Sequence, residues 1–277
     1  MAIRIARKLA VPLAVLALAA CSSPEEIGDK VGVKQDAATP AGGATARAGV
    51  AADAEARSVK EETDLYQFEL AWPKEVSAIP ALAARLEAVG KASRKQLIDD
   101  AQDQQEAAKE NKFPYRALSY GEQWKVVANL PGWLSLTEDV YSYTGGAHGN
   151  YGRDSLVWDK AAGEGHSGID LFASPEVLQS ALGDRLCDAL DAERLRKRGA
   201  DYVSSGIDEF DQCPGISDAT VIVGSSNKQT FDRIRIYFGP YVAGPYAEGD
   251  YELTFPVDAN VLDAVKPAYR SAFSIKR

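Results

Sequence analysis

From Tyr66 onward the apolar residues of this chain fall in short runs of period two, a rhythm few folds can accommodate. Tyr66, Phe68 and Leu70 alternate with Gln67, Glu69 and Ala71, which predicts a half-buried strand stopped by Pro73. Trp124, Val126, Ala128 and Leu130 repeat the pattern, Pro131-Gly132 supplies a turn, and Leu134, Leu136 and Val140 form the returning face. Glu138 interrupts that face and predicts a bulge or an exposed edge. Further strands are read at Ser155–Asp159, Val221–Val223, Ile234–Phe238 and around Leu253 and Phe255, with a loop from Gly163 to Gly168.

Helical spacing is confined to two long stretches. From Ile79 to Asn111, Leu82, Leu86, Val89 and Leu97 recur at helical intervals, while Asp99–Lys112 reads as a solvated polar half. In the second stretch Ser174 is a cap, Pro175 suits the first turn and Glu176 complements the helix dipole. Its buried stripe is Val177, Leu178, Ala181, Leu182, Leu186, Ala189 and Leu190, and Glu193–Arg198 is its basic, exposed end. A short closing helix starts at Asp258 and covers Val261, Leu262 and Val265. Strands gathered around two principal helices predict an α+β fold of antiparallel β-meanders.

The first sixty residues follow another rule. Arg4, Arg7 and Lys8 precede a short apolar run, Leu9–Ala17, as in an export signal. Leu18-Ala19-Ala20-Cys21 resembles a bacterial lipobox, which implies cleavage before Cys21 and its acylation. More than one acyl chain makes a lasting anchor, and Ser22 after the cysteine implies the outer membrane, facing the periplasm. Residues 1–20 are thus expected to be signal, 21–62 a flexible tether of Ala, Gly, Thr and charged residues, and the folded part to begin near Thr63. Two α+β halves are expected, 63–131 and 132–277.

Charge and cysteine usage narrow the class. Three of the 31 basic residues precede Cys21, which leaves 28 against 40 acidic residues, a net of −12. Such a surface repels nucleic acid and attracts cationic partners. With Cys21 taken by lipid, Cys187 and Cys213 remain in an oxidising compartment and predict a disulfide. Closing a loop of about 27 residues is worth roughly 3 kcal/mol in the chain-entropy view.

Catalytic signatures are sparse. The chain has two histidines, His148 and His166, and no HxxxH or HExxH spacing, so no metal or other cofactor is expected. His148, beside glycines, reads as a residue that hydrogen-bonds its own turn. There is no GxSxG elbow, Ser204-Ser205-Gly206 reads as a loop, and no carboxylate dyad is signalled. Tyrosines are more informative: Tyr141, Tyr143, Tyr151, Tyr241 and Tyr246 gather around two glycine-rich loops. Tyr141, Tyr143, Gly146, His148, Tyr241, Pro245 and Tyr246 form the candidate ligand-binding set.

The stretch YSYTGGAHG at Tyr141–Gly149, the tryptophan strand after it, Ile169-Asp170-Leu171-Phe172 and FGPYVAGPYAEG at Phe238–Gly249 together carry a resemblance. They resemble the extracytoplasmic module of lysozyme-sensing anti-sigma factors of the RsiV type, which also occurs in some peptidoglycan deacetylases as paired domains of unknown function. Neither the membrane helix and cytoplasmic domain of the former nor the metal-dependent catalytic domain of the latter is read in this chain. The resemblance therefore implies a binding ectodomain without an output device, its partner a lysozyme-like muramidase or peptidoglycan. The competing expectation is an enzyme acting on peptidoglycan or glycan. A pocket with paired carboxylates, or His148 beside acidic side chains and a metal, would favour that expectation.

Overall fold

The computed structural model describes residues 54–199 and 208–276. The signal, Cys21, most of the tether and Ser204-Ser205-Gly206 lie outside the described residues. The expected α+β class holds: nine strands and six α-helices are described, and the strands pair mostly antiparallel.

The larger sheet takes its strands in chain order: β1 (Arg57–Glu62), β2 (Tyr66–Trp72), β3 (Leu118–Asn129), β4 (Trp133–Tyr143), β5 (Asn150–Asp159) and β6 (Glu164–His166). All neighbours are antiparallel except β2 and β3. Those two are parallel because the chain crosses between them through α1 (Lys74–Ser77) and α2 (Pro80–Asn111). α2 lays Leu82, Leu86, Leu97 and Ala101 on Phe68, Leu70, Leu134, Leu136, Leu156 and Trp158, which form the first core. Val89, expected in the stripe, points to solvent with 46% exposure. The buried position at that turn is Gly90, where a Cβ would run into the Leu70 side chain.

Four expectations about this sheet change. β1 lies inside the expected tether, for an edge strand is held by its backbone ladder to β2 and needs little apolar surface. β6 occupies the expected loop at 163–168 and pairs with β5. The bulge falls on β3 between Val126 and Ala128, so Val126 turns outward while Ala128 and Leu130 enter the second core. Glu138 is neither bulged nor at an edge, because β4 runs between β3 and β5 and buries it. The expected division at Pro131–Gly132 is the turn of the β3–β4 hairpin, inside this sheet.

The second core lies under a three-stranded antiparallel sheet of β7 (Thr220–Gly224), β8 (Arg233–Phe238) and β9 (Tyr251–Pro256). α3 (Pro175–Leu182), α4 (Asp184–Arg198), α5 (Asp208–Asp211) and α6 (Ala259–Ala264) complete the described helices. The expected second helix is two helices: Gly183 at φ 56° breaks it, and Leu178, Leu182, Leu186 and Leu190 all reach the core. Val177 stays exposed. Ser174 and Asp258 cap α3 and α6 as expected. The expected disulfide is present: Cys187 in α4 is bonded to Cys213, with Cα atoms 5.5 Å apart.

The basic end of α4 is not exposed throughout. Arg194 is 4% exposed, and its guanidinium donates to the carbonyls of Ala243, Asp211 and Gln212. Arg198 pairs with Asp211 and Glu248. Loop carbonyls thus draw the Arg194 guanidinium inward, and carboxylates that of Arg198. β7 crosses one half of the larger sheet, where Ser135 Oγ donates to the Val223 carbonyl at 2.7 Å and Thr220 Oγ1 to that of Arg153 at 2.7 Å.

Candidate functional site

Successive residues of β4 point to opposite faces. On one face Trp133 and Ser135 meet the second core, while Asp139 and Tyr141, further along, lie beyond β7. There the sheet floors a groove of about 650 Å³, walled by Gln67, Glu69 and Gln123 on one side and by Tyr237 and Asp250 on the other.

The floor is ionic. Asp139 accepts from Lys125 and from Arg153 Nε at 2.6 Å, Arg153 also pairs with Glu252, and Glu252 with Arg235 at 3.0 Å. Burial pushes the Asp139 carboxyl up, but the hydrogen bonds from Lys125 and Arg153 outweigh it and hold the group below the usual range. The Arg153 guanidinium lies over the Tyr237 ring, 5.1 Å from its centroid. Burial, then the Asp250 charge, raises the Tyr237 phenol. At the rim, Tyr141 and Tyr151 face each other across β4 and β5 with 47% and 39% exposure.

The two glycine-rich loops meet at the end of this groove. His148 stacks on Tyr246 with ring centroids 3.9 Å apart and 22° between planes. Tyr246 donates its hydroxyl to the Gly149 carbonyl at 2.7 Å, and Tyr241 Oη lies 3.4 Å from His148 Nε2. His148 Nδ1 is 2.9 Å from the Gly149 carbonyl, so this histidine hydrogen-bonds its own turn as expected. Tyr241 takes a positive φ of 69° and stands 52% exposed. Tyr151 meets Tyr246 edge-on at 6.1 Å, which links the loop cluster to the rim. Tyr141 lies over Gly149, where a Cβ would collide with its ring.

The remaining predicted residues support this cluster from outside it. Tyr143 donates to the Gly146 carbonyl at 3.1 Å and so braces the turn. Pro245 precedes the 3₁₀ turn Tyr246–Glu248 and aims Tyr246. Rings at Tyr141, Tyr151, Tyr246, His148 and Tyr241 thus form one continuous, partly exposed row.

Sequence reasoning missed a second constellation, on the covered face. Glu122 and Glu138 are 1% and 8% exposed beneath α2. Ser93 Oγ donates to Glu122 Oε1 at 2.7 Å. Burial, then the charges of Glu122 and Asp154, pushes the Glu138 carboxyl up to about 8. Burial likewise raises the Tyr120 phenol to about 12. The available signal was positional, since Glu138 shares the parity of Leu134 and Leu136. Among the described residues no three His, Cys, Asp or Glu side chains form a metal-holding group, and His166 rests apart against Tyr269.

Residues 59–151 match the model of a family described as Deacetylase PdaC. No curated protein matches the chain. Among solved structures, a member of the DUF3298 family from Bacteroides fragilis NCTC 9343 is 16% identical, with 79% of this chain and 97% of that one covered at a TM-score of 0.48. A DUF3298 family protein from Pseudomonas aeruginosa PAO1 is 16% identical, with 82% and 100% covered at a TM-score of 0.44. The family match runs from within β1 to the start of β5, and so includes Lys125, Asp139 and the GGAHG turn but not Arg153, Arg235 or Glu252.

Proposed function

We propose that this chain is a non-enzymatic envelope lipoprotein, anchored through Cys21, whose open sheet face binds a cationic protein of the lysozyme-like muramidase class. One observation carries this reading. Exposed rings of Tyr141 and Tyr151 share a groove with the carboxylates of Glu62, Glu69 and Asp250. Tyrosine faces beside carboxylates accept lysine and arginine side chains through cation–π contact and charge. The net charge of −12 after Cys21 steers a basic partner toward that face. The same rings can stack on sugars, so peptidoglycan is the second ligand of this reading. Anchorage at the outer membrane, facing the periplasm, belongs to the same proposal and suits the disulfide.

Titration of the mature protein with a basic lysozyme at low and moderate salt tests it. A complex that weakens with salt, inhibits the muramidase and is lost with Tyr141→Ala plus Tyr151→Ala is expected. Neither complex nor inhibition at either salt would overturn it. A second reading, an enzyme acting on peptidoglycan or glycan, would need the Glu122–Glu138 pair as its two carboxylates. With 1% and 8% exposure beneath α2 the pair is out of reach of a substrate bond. Release of acetate or reducing ends from purified peptidoglycan, abolished by Glu138→Gln, would establish the enzyme.

A further inference from the structure

Glu122 and Glu138 sit diagonally across the β3–β4 pair, for Glu122 is opposite Val140 and Glu138 opposite Trp124. Both carboxyl groups are buried on the face that α2 covers. Two ionised carboxylates could not bond to each other, because each only accepts. Ser93 satisfies Glu122 Oε1 from α2, whereas Glu122 Oε2 is buried and meets no donor. A proton on Glu138 supplies the donor that this oxygen lacks.

Among the described residues no nearby cation replaces that proton. β2 presents Leu70 opposite Glu122, β3 presents Tyr120 and Trp124, and β5 presents Asp154 in register with Glu138. Asp154 therefore adds negative charge. From α2 comes the Ser93 hydroxyl, and the cations flanking it are engaged elsewhere: Lys91 with Glu87, Arg94 with Glu61 and Lys95 with Asp99.

We propose that Glu122 and Glu138 form a buried proton-binding site, in which one shared proton ties the pair together beneath α2 and its release loosens α2 from the sheet. The step is a plain transfer. The O–H bond of Glu138 breaks, its electron pair stays on the carboxylate, and the proton passes to hydroxide or buffer base. Two adjacent buried carboxylates then repel, and one of them has lost its donor. The same helix carries Gln104, whose amide donates to the Thr144 carbonyl at 3.2 Å. Movement of α2 would therefore reach the turn that holds His148. That last consequence rests on the binding reading above, whereas the proton site does not.

Carboxyl ¹³C titration of glutamate-labelled protein tests the site directly. One glutamate should titrate near pH 8, and its signal should vanish in Glu138→Gln and move down in Glu122→Gln while staying above the ordinary range, since burial is the larger cause. Hydrogen exchange of α2 amides, corrected for the intrinsic pH dependence, should show at least a tenfold loss of protection from neutral to alkaline pH. Glu138→Gln, which keeps a donor without a titratable proton, should abolish that loss. No glutamate titrating above the ordinary range in the wild type would overturn the site, whether or not the variants fold. Equal loss of protection in β8, or the same loss in Glu138→Gln, would overturn the loosening of α2. Loss of lysozyme binding in the tyrosine variants would leave the titration unchanged, so the two readings fail separately.

Discussion

Glu138 and Asp139 are neighbours in sequence and opposites in environment. Glu138 points from β4 toward α2, meets Glu122 and Asp154, and has its carboxyl pushed up to about 8. Asp139 points into the groove, meets Lys125 and Arg153, and has its carboxyl held below the usual range. One strand thus separates a dry face, where a charge is unsupported, from a wet face, where it is paired. The covered face holds the fold together. The open face keeps its charges satisfied and its aromatic rings uncovered, as a recognition surface requires.

Substitutions on the covered face should act on stability. Leu136→Ala, at a fully buried position between α2 and the sheet, should lower unfolding free energy by about 4 kcal/mol, measured by denaturant titration with the slope unchanged. Glu138→Gln should act in the other direction, with a pH signature. Because the folded state raises this group above its unfolded value, its contribution to stability is fully present below about pH 4. That contribution is lost as pH rises toward 8. The variant should therefore match the wild type in acid and exceed it by about 3 kcal/mol in mild alkali. Parallel stability curves for the two proteins would place Glu138 in water and dissolve the contrast between the faces.

The parts of this contrast that were legible in sequence were those set by local period. Tyr66, Phe68 and Leu70, or Leu134 and Leu136, announce a buried strand face because every second residue must be apolar there. The glycine-rich loops and their tyrosines were legible as well, and the structure brings Tyr141, His148, Tyr241 and Tyr246 into one row. What stayed hidden depends on register between distant segments. The bulge at Val126–Ala128 exists only against β4, and Glu122 meets Glu138 only once the hairpin is zipped. The burial of Arg194 depends on a carbonyl 49 residues away. The groove likewise needs Asp139, Arg153 and Asp250 from three elements, which no local pattern joins.

On the open face the linkage has the opposite sign. The depressed Asp139 carboxyl stabilises the fold above its unfolded value near pH 4, and that contribution is lost as pH falls through the lower folded value. Asp139→Asn should cost about 1 kcal/mol at neutral pH. The gap should shrink with added salt, since the side chains of Lys125 and Asp139 are 58% and 29% exposed. It should also close in acid. A gap that instead widened in acid would mean that burial, not Lys125 and Arg153, governs this carboxylate.

The smallest effect on stability should come from the residue to which the proposed binding gives the largest role. Tyr141 is 47% exposed, and its side chain leans on Gly149 rather than on either core. Tyr141→Ala should change unfolding free energy by no more than about 0.5 kcal/mol, because little apolar surface is lost and no cavity opens. On the binding proposed above, affinity for a basic lysozyme should nevertheless fall about tenfold, as when an exposed ring within an interface is truncated. Calorimetry of both properties on one preparation separates the roles. A Tyr141→Ala protein as destabilised as Leu136→Ala would make this ring part of the core. The open face would then be a continuation of the covered one rather than its functional counterpart.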